Sequence, residues 1–273
     1  MKVEYWLGDA VHMSMYEYRP MMVFCVILAA ALGAVLGSFL NCAAWRVVRG
    51  ESFINGRSHC AACGHPLGVA ELIPVVSWLM QRGRCKWCGG KISIRYPLTE
   101  LCFALISVLC LLRFDLTPLC LRNWLFLCVL FLLTLTDLDD MTIPDGCHIA
   151  AAVIWLAFLP FTFTTWKDAG LHLLSGLLYG GGLLGISLIM DRVMGRDTLG
   201  GGDIKLFCVV GLYLGFIGTL FAVALACILG LIFHAIASGR GKAFPFGPSI
   251  AAATAIMLLY GEPLVNWYLG LLG

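Results

Sequence analysis

Charge is scarce in this sequence. Of 273 residues, 12% are charged and 60% are hydrophobic, whereas a soluble domain carries about a quarter charged residues. That shortage excludes an ordinary soluble domain. The formal net charge is +2, too small to indicate a partner, and no nucleic-acid partner is expected. A basic leader is missing too: Glu4, Asp9 and Glu17 precede the first apolar run. A cleaved signal peptide is therefore not expected, and that run is read as an uncleaved span. The histidines, at positions 12, 59, 65, 148, 172 and 234, lack any ligand spacing.

What the sequence does contain is a series of uncharged stretches: 20–45, 101–112, 123–136, 146–166, 169–190, 206–239 and 243–261. A spanning helix needs about 20 residues. The runs 101–112 and 123–136 reach that length only if their flanks join in, with Arg113 and Arg122 snorkelling to the headgroups. The run 206–239 has the opposite difficulty: as one helix it would measure about 51 Å, against a hydrocarbon core of about 30 Å. Gly215-Phe-Ile-Gly218 offers a turn within it, which predicts two short helices. The expectation is an all-α integral membrane protein with about eight transmembrane helices, surrounded by membrane lipids. Lys and Arg crowd into 46–95, so that loop is expected in the cytoplasm. Alternation from there puts 137–145, 191–203 and 238–242 on the same side. Only Lys2, Arg19, Arg113, Arg122 and Lys167 are then left outside.

Of the 13 cysteines, four form two pairs: Cys60-Ala-Ala-Cys63-Gly64 and Cys85-Lys-Trp-Cys88-Gly89. Two residues between cysteines let both sulfurs reach one tetrahedral ion at about 2.3 Å. A loop this size lacks a core of its own, and a metal supplies folding energy. A structural zinc site on Cys60, Cys63, Cys85 and Cys88 is expected, stapling the cytoplasmic loop. A redox dithiol relay is the rival reading, and His59 and His65 flank the first pair as alternative ligands. The basic residues Arg82, Arg84, Lys86 and Lys91 read as a solvated face. The remaining cysteines lie mostly in apolar runs and behave there as small hydrophobes.

Two aspartates stand at the ends of apolar runs. Asp137 opens Asp137-Leu-Asp-Asp-Met-Thr-Ile-Pro-Asp145, and Asp203 closes Gly200-Gly-Gly-Asp203. Hydrocarbon cannot solvate a carboxylate, so acids at such places are candidates for function. Plainer readings exist: Asp137 as a helix-terminal turn residue and Asp203 as an N-cap.

The ordered set of motifs resembles the type IV prepilin peptidases, a bacterial family of GxGD-type intramembrane aspartic proteases. It begins with Gly37-Ser-Phe-Leu-Asn41 and Arg46. The cysteine pairs follow, with Ile73-Pro74 and Ser77-Trp78 between them, then Arg95-Tyr-Pro-Leu-Thr-Glu100. The two aspartate motifs come next, with Lys205 after the second, and Pro245-Phe-Gly-Pro248 completes the set. Thr136 and Asp140 are small departures. The resemblance implies that Asp137 and Asp203 are the catalytic pair, sharing a proton to activate water and to protonate the peptide carbonyl. It implies prepilin or type II secretion pseudopilin substrates, cut after a glycine. It also implies N-methylation of the new terminus with S-adenosylmethionine as methyl donor. Gly180-Gly-Gly-Leu-Leu-Gly185 fits a dinucleotide-loop spacing but lies in an apolar helix with no preceding strand, so it is read as a packing face. The expected organisation is a first span in 1–45, a tetracysteine loop in 46–97 associated with methylation, and a peptidase core in 98–273. The expected location is the bacterial inner membrane, with both aspartates facing the cytoplasm. Two other readings are a peptidase without methylase, like the archaeal preflagellin relatives that lack a zinc loop, and a proton- or ion-coupled transporter built on the same carboxylates.

Overall fold

The computed structural model describes residues 19–52, 56–195, 199–237 and 245–272. The leader before Arg19, Arg196 and the 238–242 segment lie outside those residues. Among the described residues all regular structure is helical, apart from two isolated antiparallel bridges. They form two compact units that divide between Leu116 and Thr117.

The first unit contains α1 (Arg19–Val48) and α3 (Arg95–Phe114), with a long loop between them that includes the short α2 (Val76–Met80). The two long helices pack antiparallel because α1 presents no side chain at two contacts. A Cβ on Gly33 would stand 2.5 Å from Ser107 Oγ, and one on Gly37 would stand 3.0 Å from Glu100 Cα. Close backbone approach of this kind is how membrane helices associate where lipid removes the hydrophobic driving force.

The second unit contains α4 (Pro118–Asp140), α5 (Asp145–Ala157), α6 (Leu159–Thr162), α7 (Trp166–Met194), α8 (Gly201–Ala237) and α9 (Gly247–Leu272). Thr117 caps α4 by accepting the Cys120 N–H at 3.2 Å, with Pro118 in the first turn. Thr165 caps α7 likewise, accepting the Asp168 N–H at 3.1 Å. Helix α7 lies against the first half of α8 through glycines from both sides. A Cβ on Gly176 would come 2.6 Å from the Cys208 carbonyl oxygen, and one on Gly211 would come 2.6 Å from Gly176 Cα. Gly180 also packs, on Cys208, whereas Gly181, Gly182 and Gly185 face open space. The Gly180–Gly185 stretch is a packing face at one position of four.

Helix α8 breaks at Gly215, where φ is 67° and ψ is −172°, a conformation open to glycine. The carbonyls at the break find side chains. His172 Nδ1 donates to Leu212 O at 2.9 Å, Thr219 Oγ1 to Gly215 O at 2.6 Å, and Tyr179 Oη to Phe216 O at 2.9 Å. Such replacement partners are what an interrupted helix needs where water is absent. The second half of α8 runs antiparallel to α9, with Gly230 against Phe246 and Phe221 against Tyr268. A straight helix would separate Gly202 from Gly230 by about 42 Å. Yet Gly202 touches Ile143, which also meets Gly247, the neighbour of Phe246. The chain therefore turns back at Gly215.

Among the described residues six helices are long and apolar enough to cross a membrane, where about eight were expected. Helix α5 has 13 residues, about 20 Å at 1.5 Å each. The first half of α8, up to the break, is scarcely longer. Neither reaches full spanning length. Arg122 also departs from expectation: it is 5% exposed instead of snorkelling. Its guanidinium donates from Nε and Nη2 to Asn123 Oδ1, each at 3.1 Å, and lies 5.3 Å over the Tyr213 ring. Tyr213 stacks on Phe126 and donates its hydroxyl to Ala151 O.

Replacing Gly176 by Leu should force α7 and α8 apart, at a cost of about 1–3 kcal/mol. Gly181→Leu, which enters open space, should be near neutral. Thermal unfolding of the two variants in detergent measures the difference, and equal stabilities would refute the packing account.

Candidate active site and metal centre

Asp137 lies near the C-terminal end of α4 and is buried. The helix ends because Met141 turns left-handed, its N–H bonding Asp137 O at 2.9 Å. Its Oδ2 accepts the Gly247 N–H at 2.9 Å, a backbone donor at the first residue of α9. The approach depends on glycine: a Cβ there would lie 2.6 Å from Oδ2. Thr136, the departure next to Asp137, is fully buried and donates to Leu133 O at 3.0 Å. Its hydroxyl is thus satisfied within its own helix.

Asp203 stands in the first turn of α8, its N–H bonded to Gly200 O at 3.0 Å. Two residues link this turn to the Asp137 end. Ile143 fills the space beside both Gly202 and Gly247, 3.2 Å from the Cβ position of each. His148 Nε2 donates to Gly202 O at 3.1 Å, since a carbonyl can only accept. The two carboxyls lie within electrostatic reach of each other. Both expected aspartates thus stand at one end of the second unit, on helix ends that Ile143 packs between.

The other acids of the first motif are different. Asp139, Asp140 and Asp145 are exposed. Asp145 pairs with Lys205 at 2.6 Å, both ends more than half exposed, so the pair contributes little to stability. Ile143, His148 and the Gly247 N–H were not singled out from sequence. Gly247 did lie within a quoted motif, but a backbone donor 110 residues from its acceptor leaves no local signal.

The four paired cysteines converge in the first unit. Their sulfurs all lie within 4.8 Å of one another, with Cys60 Sγ and Cys88 Sγ 3.9 Å apart. Four thiolates at about 2.3 Å from one zinc ion would be spaced near 3.8 Å, so the set fits a tetrahedral ion. Each pair is built the same way. Cys60 N–H bonds His65 O and Gly64 N–H bonds Cys60 O; Cys85 N–H bonds Gly90 O and Gly89 N–H bonds Cys85 O. Gly64 and Gly89 have φ of 72° and 69°, which lets the chain curl round each sulfur. Backbone N–H groups of Cys63 and Ala62 bring the Cys60 thiol down to about 7, favouring the thiolate that a metal requires. His59 and His65 are not in the cluster: His59 lies by the Arg57 carbonyl, and the His65 ring packs on Trp87.

For a methyl donor, the Gly180–Gly185 stretch provides no phosphate- or nucleotide-type loop, being continuous helix within α7. The first unit does contain buried polar side chains near the loop. Glu100, Asn41 and Arg46 are each 6% exposed. Arg46 donates to the carbonyls of Ser52, Gly56 and Arg57 and so folds the start of the loop. The acidic Glu100 and the amide of Asn41 suit a cationic reactant.

Comparison with known proteins gives the same division of the chain. Residues 31–114 match the Bacterial Peptidase A24 N-terminal domain, and residues 124–235 match the Type IV leader peptidase family. A Bacillus subtilis (strain 168) protein named prepilin leader peptidase/N-methyltransferase is 34% identical over 248 residues, 87% of this chain and 95% of its own length. Proteins of the same name from Aeromonas salmonicida (strain A449) and Pseudomonas putida are 34% and 30% identical. They cover 78% and 92% of this chain, and 74% and 96% of their own lengths. No solved structure matches. With its paired aspartate ends, its tetracysteine loop and relatives matching nearly end to end, the chain belongs to the type IV leader peptidase family.

Proposed function

We propose that this chain is a multi-pass inner-membrane enzyme that cleaves the leader of prepilins or pseudopilins and then methylates the new N-terminus, with Asp137 and Asp203 as the acid–base pair. One observation carries the peptidase reading: Asp137 at the end of α4, held by the Gly247 N–H, and Asp203 in the first turn of α8 come from helix ends that Ile143 joins at one end of one unit. Two such carboxyls share one proton. The ionised member takes a proton from water as the water oxygen attacks the scissile carbonyl. The protonated member donates to the carbonyl oxygen, and the proton taken up passes to the leaving amine. No covalent enzyme intermediate is required. Gly201 faces open space, which leaves backbone room for an extended substrate near Asp203.

Location at a helix end favours hydrolysis over transport, because a transporter site is usually near mid-membrane and reached from both sides. The charge pattern around the loop supports a cytoplasmic site, which suits a precursor whose basic leader stays inside. The tetracysteine loop supports the bifunctional reading, since the preflagellin relatives lack it. In this reading the loop holds one structural zinc ion with no open position, and S-adenosylmethionine is the methyl donor.

Asp137→Asn and Asp203→Asn should each lower prepilin cleavage by at least about 100-fold while the protein stays folded in the membrane. Product analysis by mass spectrometry measures this, and near-normal cutting by either variant removes that residue from the mechanism. Metal analysis of the purified protein should find about one zinc per chain, lost in Cys63→Ser together with loop stability. A metal-free protein with a protease-resistant loop would reject the zinc assignment.

A further inference from the structure

Glu100 is 94% buried, and its carboxylate has a single hydrogen bond among the described residues: Oε2 accepts the Val75 N–H at 2.6 Å. No cation pairs with it there. A buried carboxylate without a counter-charge is expensive. Asn41 is equally buried, at 6% exposed, and its side-chain amide is a second polar group there. The two stand on facing helices. Gly37 packs against Glu100 Cα, and Asn41 lies one turn further along the same face of α1. Side chains on a helix lean toward its N-terminus, so Glu100 on antiparallel α3 leans toward the level of Asn41. Val75 adds a third feature. It is β-branched yet has φ of 61°, a costly conformation that persists where surrounding structure demands it and that clusters at functional sites. Its N–H is the one that Glu100 takes.

An acceptor-rich site lacking a cation fits a primary ammonium group, which has three donors and one positive charge. We propose that Glu100 and Asn41 bind the newly exposed N-terminal ammonium of the cleaved substrate, and that Glu100 takes a proton from it for methylation. The inference rests on the bifunctional reading given above. Methylation needs the free amine, since an ammonium nitrogen has no lone pair. One proton passes from nitrogen to Glu100 Oε1, and the freed pair forms the new N–C bond. S-adenosylmethionine, when bound, supplies the methyl group and keeps the electron pair of its broken C–S bond on sulfur. Glu100 then returns its proton to water.

The decisive variant is Glu100→Gln, which keeps an oxygen acceptor for the Val75 N–H but removes the charge. Binding of an apolar peptide with a free N-terminal amine, and of its N-acetylated form, is measured on the full-length protein without methyl donor. Leader cleavage and methylation are assayed separately. The wild-type protein should prefer the free amine by 10-fold or more, and Glu100→Gln should abolish that preference, as should Asn41→Ala in part. Methylation by Glu100→Gln should fall about 100-fold while cleavage stays within about twofold of wild type. It should recover partly between about pH 7 and 9, as α-amines with pKa near 7.7–8.0 lose their proton to solvent. Retention of the free-amine preference by Glu100→Gln overturns the proposal. So does a parallel loss of cleavage and folding, which marks a structural residue. Weakened S-adenosylmethionine binding with unchanged peptide binding also overturns it, because the cation would then be the donor. Failure of the wild-type protein to cut a prepilin would instead count against the functional reading, while the peptide-binding comparison would still stand.

Discussion

The hydrogen bond from the Gly247 N–H to Asp137 Oδ2 joins the end of α4 to the start of α9. It fixes a carboxylate where few groups could. Charged side chains are scarce in this chain, and a partner cation would neutralise the acid that chemistry requires. A backbone N–H stabilises a carboxylate by roughly 1.5–3 kcal/mol without bringing a formal charge. The bond is possible only because residue 247 lacks a Cβ. Ile143 packs against the same glycine.

The same economy recurs throughout the second unit. Many buried polar groups are met by backbone or by close neighbours, as expected where neither water nor abundant charge is available, although His148 Nδ1, Trp155 Nε1 and Ser175 Oγ have no hydrogen bond among the described residues. Arg122 shares its guanidinium between the Asn123 amide and the Tyr213 ring. The break in α8 is sealed by His172, Thr219 and Tyr179. His148 holds the turn before Asp203 through Gly202. The last two arrangements set side chains on backbone carbonyls, so the turn before Asp203 is framed by the same kind of interaction that seals the break in α8.

The first unit solves a different problem. Its loop has short elements and no apolar core of its own among the described residues. Order comes from Arg46 binding three carbonyls, from the Val75–Glu100 bond and from the repeated backbone turns around four sulfurs. The two units match two separate family domains whose limits bracket the boundary at Thr117. That agreement is consistent with two chemistries carried on one chain.

Much of this was legible from residue order. Apolar run length announced membrane helices, because hydrocarbon thickness sets a minimum. Cysteine spacing announced the sulfur cluster, because two intervening residues suit one tetrahedral ion. Gly215 marked the interruption of a run too long for one crossing. These are local constraints, and each is written within a short stretch of chain. Other features were not readable. Run length alone could not tell that α5 stops after 13 residues, short of a full span. It also put Arg122 at the headgroups, since nothing local revealed the Asn123 and Tyr213 partners. Sequence by itself determined the class of fold, the metal-type loop and the identity of the two candidate acids. Tertiary structure alone decided that the end of α4 and the start of α8 lie at one end of the second unit, that Gly247 holds one of the acids, and that Glu100 takes the Val75 N–H. The reason is physical: a hydrogen bond or a glycine contact between residues far apart in the chain depends on how helices cross, and no short pattern encodes that.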